Sequence, residues 1–211
     1  MKNDVVPKTI YLKEYQAPHF RISDVHLTFE LNEIKTIIQS RLNVEKNVDL
    51  AVSTLVLNGE NLQLLEIKID GQVINDTRYK MESDSIAIFD VPKKFVLEIK
   101  NAVSPIENKA LEGLFKSGEI LCTQNEPEGM RRITYFVDRP DNLARYTTKL
   151  IGDSKKYPIL LSNGNLISKG SLSEGRHFAE WNDPFPKPSY LYAVVAGDLG
   201  LVRDEFITKS G

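Results

Sequence analysis

Residues 25–31 alternate without exception: Val25, Leu27, Phe29 and Leu31 are apolar, while His26, Thr28 and Glu30 are polar. Successive side chains of a β-strand point to opposite faces, so this period of two predicts a strand with one buried and one solvated face. The alternation recurs at Ile38-Ser40-Leu42-Val44, Leu65-Ile67-Ile69 and Phe95-Leu97-Ile99. Residues 50–57 and 190–196 are more continuously apolar, as in strands buried on both faces. Asn58-Gly59, Asp70-Gly71 and Asn163-Gly164 accept positive φ at low cost and predict hairpin turns between antiparallel strands. Residues 176–181 read as another alternating strand. The run Asp183-Pro184-Phe185-Pro186-Lys187-Pro188 that follows has three prolines without an N–H to donate, which predicts an ordered loop packed on aromatic neighbours.

Helical periodicity is scarce. Residues 140–145 predict one short helix, with Asp138 placed to cap it and Pro140 in its first turn. The expected fold is all-β: an antiparallel β-sandwich or saddle of two or more packed sheets with one short helix. Residues 1–198 read as one β-sandwich domain. Residues 202–208 begin another alternating strand shortly before the chain stops at Ser210-Gly211. The segment 199–211 is therefore expected to start a linker or the first strand of a further domain, with the chain cut from a longer protein.

At 211 residues the chain is long enough to bury a sizeable core. Its 27 basic and 29 acidic residues give a net charge of -2, without the basic excess that neutralising phosphates demands, so no nucleic-acid partner is expected. Residues 1–7 lack the apolar stretch of a secretory signal, and no later run is apolar enough to span a bilayer as a helix, so no membrane partner is expected. Cys122 is the single cysteine, which rules out an internal disulfide framework and points to the cytoplasm. Between Leu121 and Thr123 it reads as a small buried hydrophobe.

Several chemistries lack their residues. A zincin needs two histidines one helical turn apart with a glutamate between them. His19, His26 and His177 stand far apart and read as strand-face or loop histidines. His177 and Glu180 are three apart on an expected strand and so face opposite ways. No serine in the segment 170–175 has glycine two residues away on both sides, since position 171 is itself a serine, so the segment reads as a plain turn and not a nucleophile elbow. Arg131, Arg132, Asp138 and Arg145 read as structural ion pairs, and the aromatic residues from Tyr135 to Tyr192 as core and loop packing. No catalytic residue and no metal ligand is expected in these 211 residues.

One carboxylate stands out. Glu126 precedes Pro127, which biases it towards extended backbone, and Gln124 lies two residues away on the same side of an extended segment. If the loop lines a cleft, Glu126 can accept charge-assisted hydrogen bonds from a peptide's α-ammonium, and Gln124 can add a carbonyl acceptor. On loop context alone, a solvated glutamate is the commoner outcome.

The pattern Thr123-Gln124-Asn125-Glu126-Pro127, then Arg131-Arg132, then Asp138-Arg139-Pro140 resembles the amino-terminal domain of gluzincin zinc aminopeptidases of the bacterial aminopeptidase N type. Tyr15-Gln16-Ala17-Pro18, Leu57-Asn58-Gly59-Glu60, Ala110-Leu111-Glu112-Gly113-Leu114, Leu161-Ser162-Asn163-Gly164-Asn165 and the proline-rich run at 183–188 extend the likeness over essentially the whole chain. It implies that Gln124 and Glu126 reach into an active site and anchor the substrate's amino terminus. It implies zinc as cofactor of the parent protein, which would remove amino-terminal residues from peptides. The partners it implies are the catalytic and carboxyl-terminal domains of the same chain, and these residues alone would be inactive. Asn125 stands where many relatives have an aromatic residue, Gly129-Met130 precede the arginines, and Arg139 replaces an acidic residue. The alternative is a non-enzymatic β-sandwich that serves as a protein-interaction module.

Overall fold

The alternating segment at 25–31 forms the body of β1 (Phe20–Glu30), paired antiparallel with β2 (Thr36–Lys46). The computed structural model describes residue 9 and residues 11–47 and 53–210. After β1 and β2 come β3 (Leu55–Asn58), β4 (Gln63–Ile69), β5 (Gln72–Val73), β6 (Tyr79–Met81), β7 (Ser85–Ile88) and β8 (Lys94–Val103). Then follow β9 (Gly113–Ser117), β10 (Ile120–Gln124), β11 (Ala144–Asp153), β12 (Ile159–Ser162), β13 (Asn165–Ser171), β14 (Arg176–Lys187) and β15 (Val194–Gly197). The fold is all-β. Among the described residues the helical content consists of single 3-10 turns, and no helix is long and apolar enough to cross a membrane.

Three sheets share one core. The largest has the order β13-β14-β11-β1-β2-β8-β4-β5, and its β1–β11 pair is parallel while the other pairs are antiparallel. A four-stranded sheet runs β12-β15-β10-β9 and a three-stranded one β3-β7-β6. Val25, Leu27, Phe29, Ile38, Leu42 and Leu97 of the large sheet join Ile86 and Leu121 of the smaller two in one buried cluster. Polar residues stitch the layers where they enter it: Thr134 bonds to Ser40, and the Asn101 amide donates to the Ile133 carbonyl. The opposite face of the large sheet is polar. One register row there reads Asn182, Thr147, His26, Arg41, Glu98 and Lys68 across six strands.

Several sequence expectations are corrected. No helix forms at 140–145: Pro140 and Asp141 make a turn, and Ala144 already opens β11. Asn142 spends its side-chain oxygen on the Ile22 N–H, and Ala144 and Tyr146 alternate into the core, which commits the segment to a strand. Of the three expected hairpins only Asp70-Gly71 is one, joining β4 to β5 with φ of 50° and 79°. Asn58-Gly59 and Asn163-Gly164 instead carry the chain between sheets. Glycine is needed there for close approach: a Cβ on Gly59 would lie 2.3 Å from the Tyr135 ring, and one on Gly164 2.2 Å from the Asn182 carbonyl oxygen.

The proline-rich run is not a loop but the end of β14. Its prolines are tolerated because β13 pairs β14 only as far as Asn182, leaving the rest with β11 alone. Phe185 there is 73% exposed and not packed on aromatic neighbours. The strand expected from residue 190 begins at Val194, after a 3-10 turn at Ser189–Leu191. Leu65 falls in a register shift of β4 and is exposed, while Ile67 is buried. Residues 202–208 form no strand and are exposed. The expectations for residues 1–7, and for residues 50–52 of the apolar run, lie outside the described residues.

Candidate functional site

β10 ends at Gln124, and the chain then turns through residues 125–129. The turn is built around Asn125, which is buried although polar residues flank it. Its side-chain amide donates to the Tyr192 carbonyl at 2.6 Å, and its own carbonyl accepts from the Gly129 N–H at 2.8 Å. Gly129 permits this closure, because a Cβ there would stand 2.4 Å from the Gln124 carbonyl oxygen. Tyr192 is itself fixed: its ring lies 5.2 Å from that of Tyr146, and its hydroxyl pairs with Thr148 at 3.1 Å. Burial pushes both tyrosine hydroxyls well above their usual range, so both stay neutral.

With Asn125 turned inward, Gln124 and Glu126 on either side are exposed. The Gln124 amide nitrogen donates to the Glu126 carbonyl at 3.2 Å, which ties the two residues together and leaves the Gln124 side-chain oxygen as an acceptor. The Glu126 carboxylate has no hydrogen bond or ion pair among the described residues, and the Glu126–Pro127 peptide is cis.

A charge network braces the far side of the turn. Asp138 is 2% exposed and accepts from the Arg131 backbone N–H and Nε, both at 3.1 Å, and from the Ser189 hydroxyl at 2.7 Å. Arg131 also reaches Glu128 at 3.1 Å. Arg132 pairs with Glu60 at 2.7 Å and Glu112 at 3.1 Å. This is the structural ion-pairing expected of these residues. Asp138 serves it in place of capping a helix, whereas Arg145 stands apart with Asp24 at 3.5 Å.

The described residues do not fit a zinc centre. His19 is exposed in a loop, and His26 faces outward on β1 beside Arg41. His177 Nε2 donates to the Tyr157 carbonyl at 2.7 Å, and no three His, Cys, Asp or Glu side chains converge among the described residues. Cys122 lies half-buried on β10, where burial pushes its thiol up.

Sequence reasoning missed the buried role of Asn125 and the parts that Glu60, Glu112 and Ser189 play in the brace. Their partners lie from 20 to 72 positions away, so no local pattern marks them. The only nearby signal was the Asn58-Gly59-Glu60 run, which carries Glu60 towards the arginines.

The peptidase M1 N-terminal domain model matches residues 13–191. Aminopeptidase N of Escherichia coli strain K12 is 47% identical over 205 residues, covering 97% of this chain and 23% of that protein. The crystal structure of Legionella pneumophila aminopeptidase A in complex with aspartic acid superposes with a TM-score of 0.90 at 36% identity, over 95% of this chain and 24% of that one. The M1 zinc metallopeptidase of Deinococcus radiodurans shares the fold at a TM-score of 0.73 and 14% identity, over 85% of this chain and 42% of that one. The chain thus spans about a quarter of the curated relatives it matches. With the three-sheet fold and the braced turn after β10, these matches establish that the chain belongs to the peptidase M1 N-terminal domain family.

Proposed function

We propose that these residues are the non-catalytic amino-terminal domain of a cytoplasmic zinc-dependent aminopeptidase, docked on a catalytic domain of the same chain. In this reading Gln124 and Glu126 bind the α-ammonium of a peptide substrate. The observation that carries it is the free carboxylate of Glu126, held on a turn fixed by buried Asn125, with Gln124 tied to the Glu126 carbonyl through its amide nitrogen so that its side-chain oxygen is left to accept. An ammonium group offers three donors, and an aimed carboxylate with a neighbouring amide oxygen matches them. Holding the amine at a fixed distance from the reacting bond would let only the first peptide bond reach the nucleophile, the geometry of an exopeptidase. Zinc, held by residues outside this chain, would polarise that bond's carbonyl and activate the attacking water. The single cysteine supports the compartment, since reducing surroundings impose no need for disulfides.

The test is the parent protein with Glu126→Ala and Glu126→Gln. Removing one member of a desolvated charge pair costs about 2–5 kcal/mol, so kcat/KM for aminoacyl substrates should fall by about 30-fold or more in the Ala variant. The Gln variant, which keeps an acceptor, should fall less. Unchanged kcat/KM in both would sink the anchor. Absence of any aminopeptidase activity in the unmodified parent would favour a non-enzymatic interaction module.

A further inference from the structure

β10 keeps one neighbour to its end and loses the other early. On the β9 side its ladder runs through Thr123–Leu114 to Gln124–Gly113. On the β15 side the ladder stops two residues sooner, after Leu121–Ala196 and Cys122–Val195. The next pair would be Thr123 with Val194, and there a side chain stands in for the backbone. The Val194 N–H donates to the Thr123 hydroxyl oxygen at 2.9 Å, and the hydroxyl in turn points at the Val194 carbonyl at 3.4 Å. Two residues further on, the Asn125 amide reaches the Tyr192 carbonyl at 2.6 Å. Leu121, Thr123 and Asn125 alternate along the chain, so one face of β10 gives first an apolar contact and then two polar groups aimed at residues 192–194.

Backbone pairing holds neighbouring strands about 4.7–4.9 Å apart, and an interposed side chain holds them further apart. β10 is thus prised from β15 just where Gln124 and Glu126 leave the sheet. The segment it is prised from is a fixed reference. The Ser162 hydroxyl donates to the Ala193 carbonyl at 2.8 Å, and the Ala193 N–H donates to the Asn163 side-chain oxygen at 2.6 Å. Val194 is buried, so its N–H has no solvent to replace the Thr123 hydroxyl.

We propose that Thr123 is a positioning residue of the amine anchor: its hydroxyl sets the gap between β10 and β15, and through it the place of the Gln124 oxygen and the Glu126 carboxylate. The proposal rests on the reading of those two residues as the anchor. Thr123 acts through them, since its own hydroxyl is engaged with Val194. Thr123→Val keeps the shape and removes the hydroxyl. The Val194 N–H then loses its acceptor, and the strands can close by one more backbone pair, drawing the anchor inward. Misplacement by about 1 Å is enough to lower a rate about 100-fold.

The test uses the parent protein and two inhibitors that differ only in the amine, alanine hydroxamate and propionyl hydroxamate. The ratio of their inhibition constants measures what the amine contributes to binding. It should fall by about tenfold or more in Thr123→Val and stay within about threefold of the unmodified parent in Thr123→Ser, which keeps the hydroxyl. Thr123→Ala removes the same hydroxyl with less side chain to accommodate, and gives the same readout where the Val variant does not fold. Equal weakening of both inhibitors, with the ratio unchanged, assigns Thr123 a general structural role and overturns the proposal. Glu126→Ala separates that failure from failure of the anchor. A ratio that falls in Glu126→Ala but not in Thr123→Val overturns the positioning role alone. A ratio unchanged in both overturns the anchor and the positioning role with it.

Discussion

Asp138 shows how much a single buried carboxylate organises around the turn after β10. It is 2% exposed and ties Arg131 to Ser189, so the segment beyond the turn is fastened to the chain that leads into β15. Deleting one partner of a buried pair costs about 3–5 kcal/mol, because the other charge is left without compensation. Arg131 keeps contacts with Glu128 and Glu60, so Asp138→Ala should fall at the lower end, about 3 kcal/mol, in urea unfolding of the 211-residue chain. A loss below about 1 kcal/mol would show that the network contributes no more than surface pairs do. Asn125 teaches the complementary point. Nothing in Thr-Gln-Asn-Glu-Pro distinguishes the inward residue from the outward two, since the amide is drawn in by the Tyr192 carbonyl 67 positions away.

At the scale of elements, a charge clasp joins two connections and a strand. Glu33, between β1 and β2, pairs with Lys156, between β11 and β12, at 2.8 Å and with Lys116 of β9 at 2.9 Å. The hydrogen bonds from Lys156 and Lys116 hold the Glu33 carboxyl below its ordinary value. A carboxyl depressed in the folded state stabilises it fully above the unfolded value of about 4.3, and this contribution disappears as the pH falls through the lower folded value. The melting temperature of Glu33→Gln should therefore lie below that of the unmodified chain at pH 7 and converge on it once the pH has fallen through the lowered folded value. A gap that persists unchanged at that acidity would mean the residue acts through packing.

The same scale separates what was readable from what was not. The alternation of β1, β2 and β8 was legible because burial on one face of a long strand repeats locally every two residues. Asp70-Gly71 was legible because a two-residue hairpin needs nothing beyond its own φ angles. Gly59 and Gly164 carried the same local signal for another reason, contact with Tyr135 and Asn182, and neither contact can be read from neighbours in sequence. The short helix failed similarly, since the cap residue was already engaged by an arginine and a serine in space. For the candidate site, the motif singled out Gln124 and Glu126, while the brace beneath their turn carries no local signal because its partners are distant in sequence.

At the scale of the molecule, three sheets with separate hydrogen-bond ladders depend on one apolar core. The three-stranded sheet buries Leu55, Leu57, Ile86 and Ile88 in the cluster that contains Phe29 and Leu42 of the large sheet, so it cannot leave without exposing both. The four-stranded sheet is bound in through Leu121, Leu160 and Ala196, and through a hydrogen bond from the Trp181 indole of β14 to the Leu160 carbonyl of β12 at 3.1 Å. Apolar area that is buried jointly is lost jointly, which favours one cooperative transition over stepwise melting of sheets. Trp181 is the only tryptophan, and it stands on the contact between the large and the four-stranded sheets. Its fluorescence therefore reports that contact, whereas far-ultraviolet circular dichroism reports the strands of all three described sheets. In urea the two signals of the 211-residue chain should change with the same midpoint and slope. If fluorescence changes first, the four-stranded sheet and the turn carrying Glu126 open ahead of the shared core.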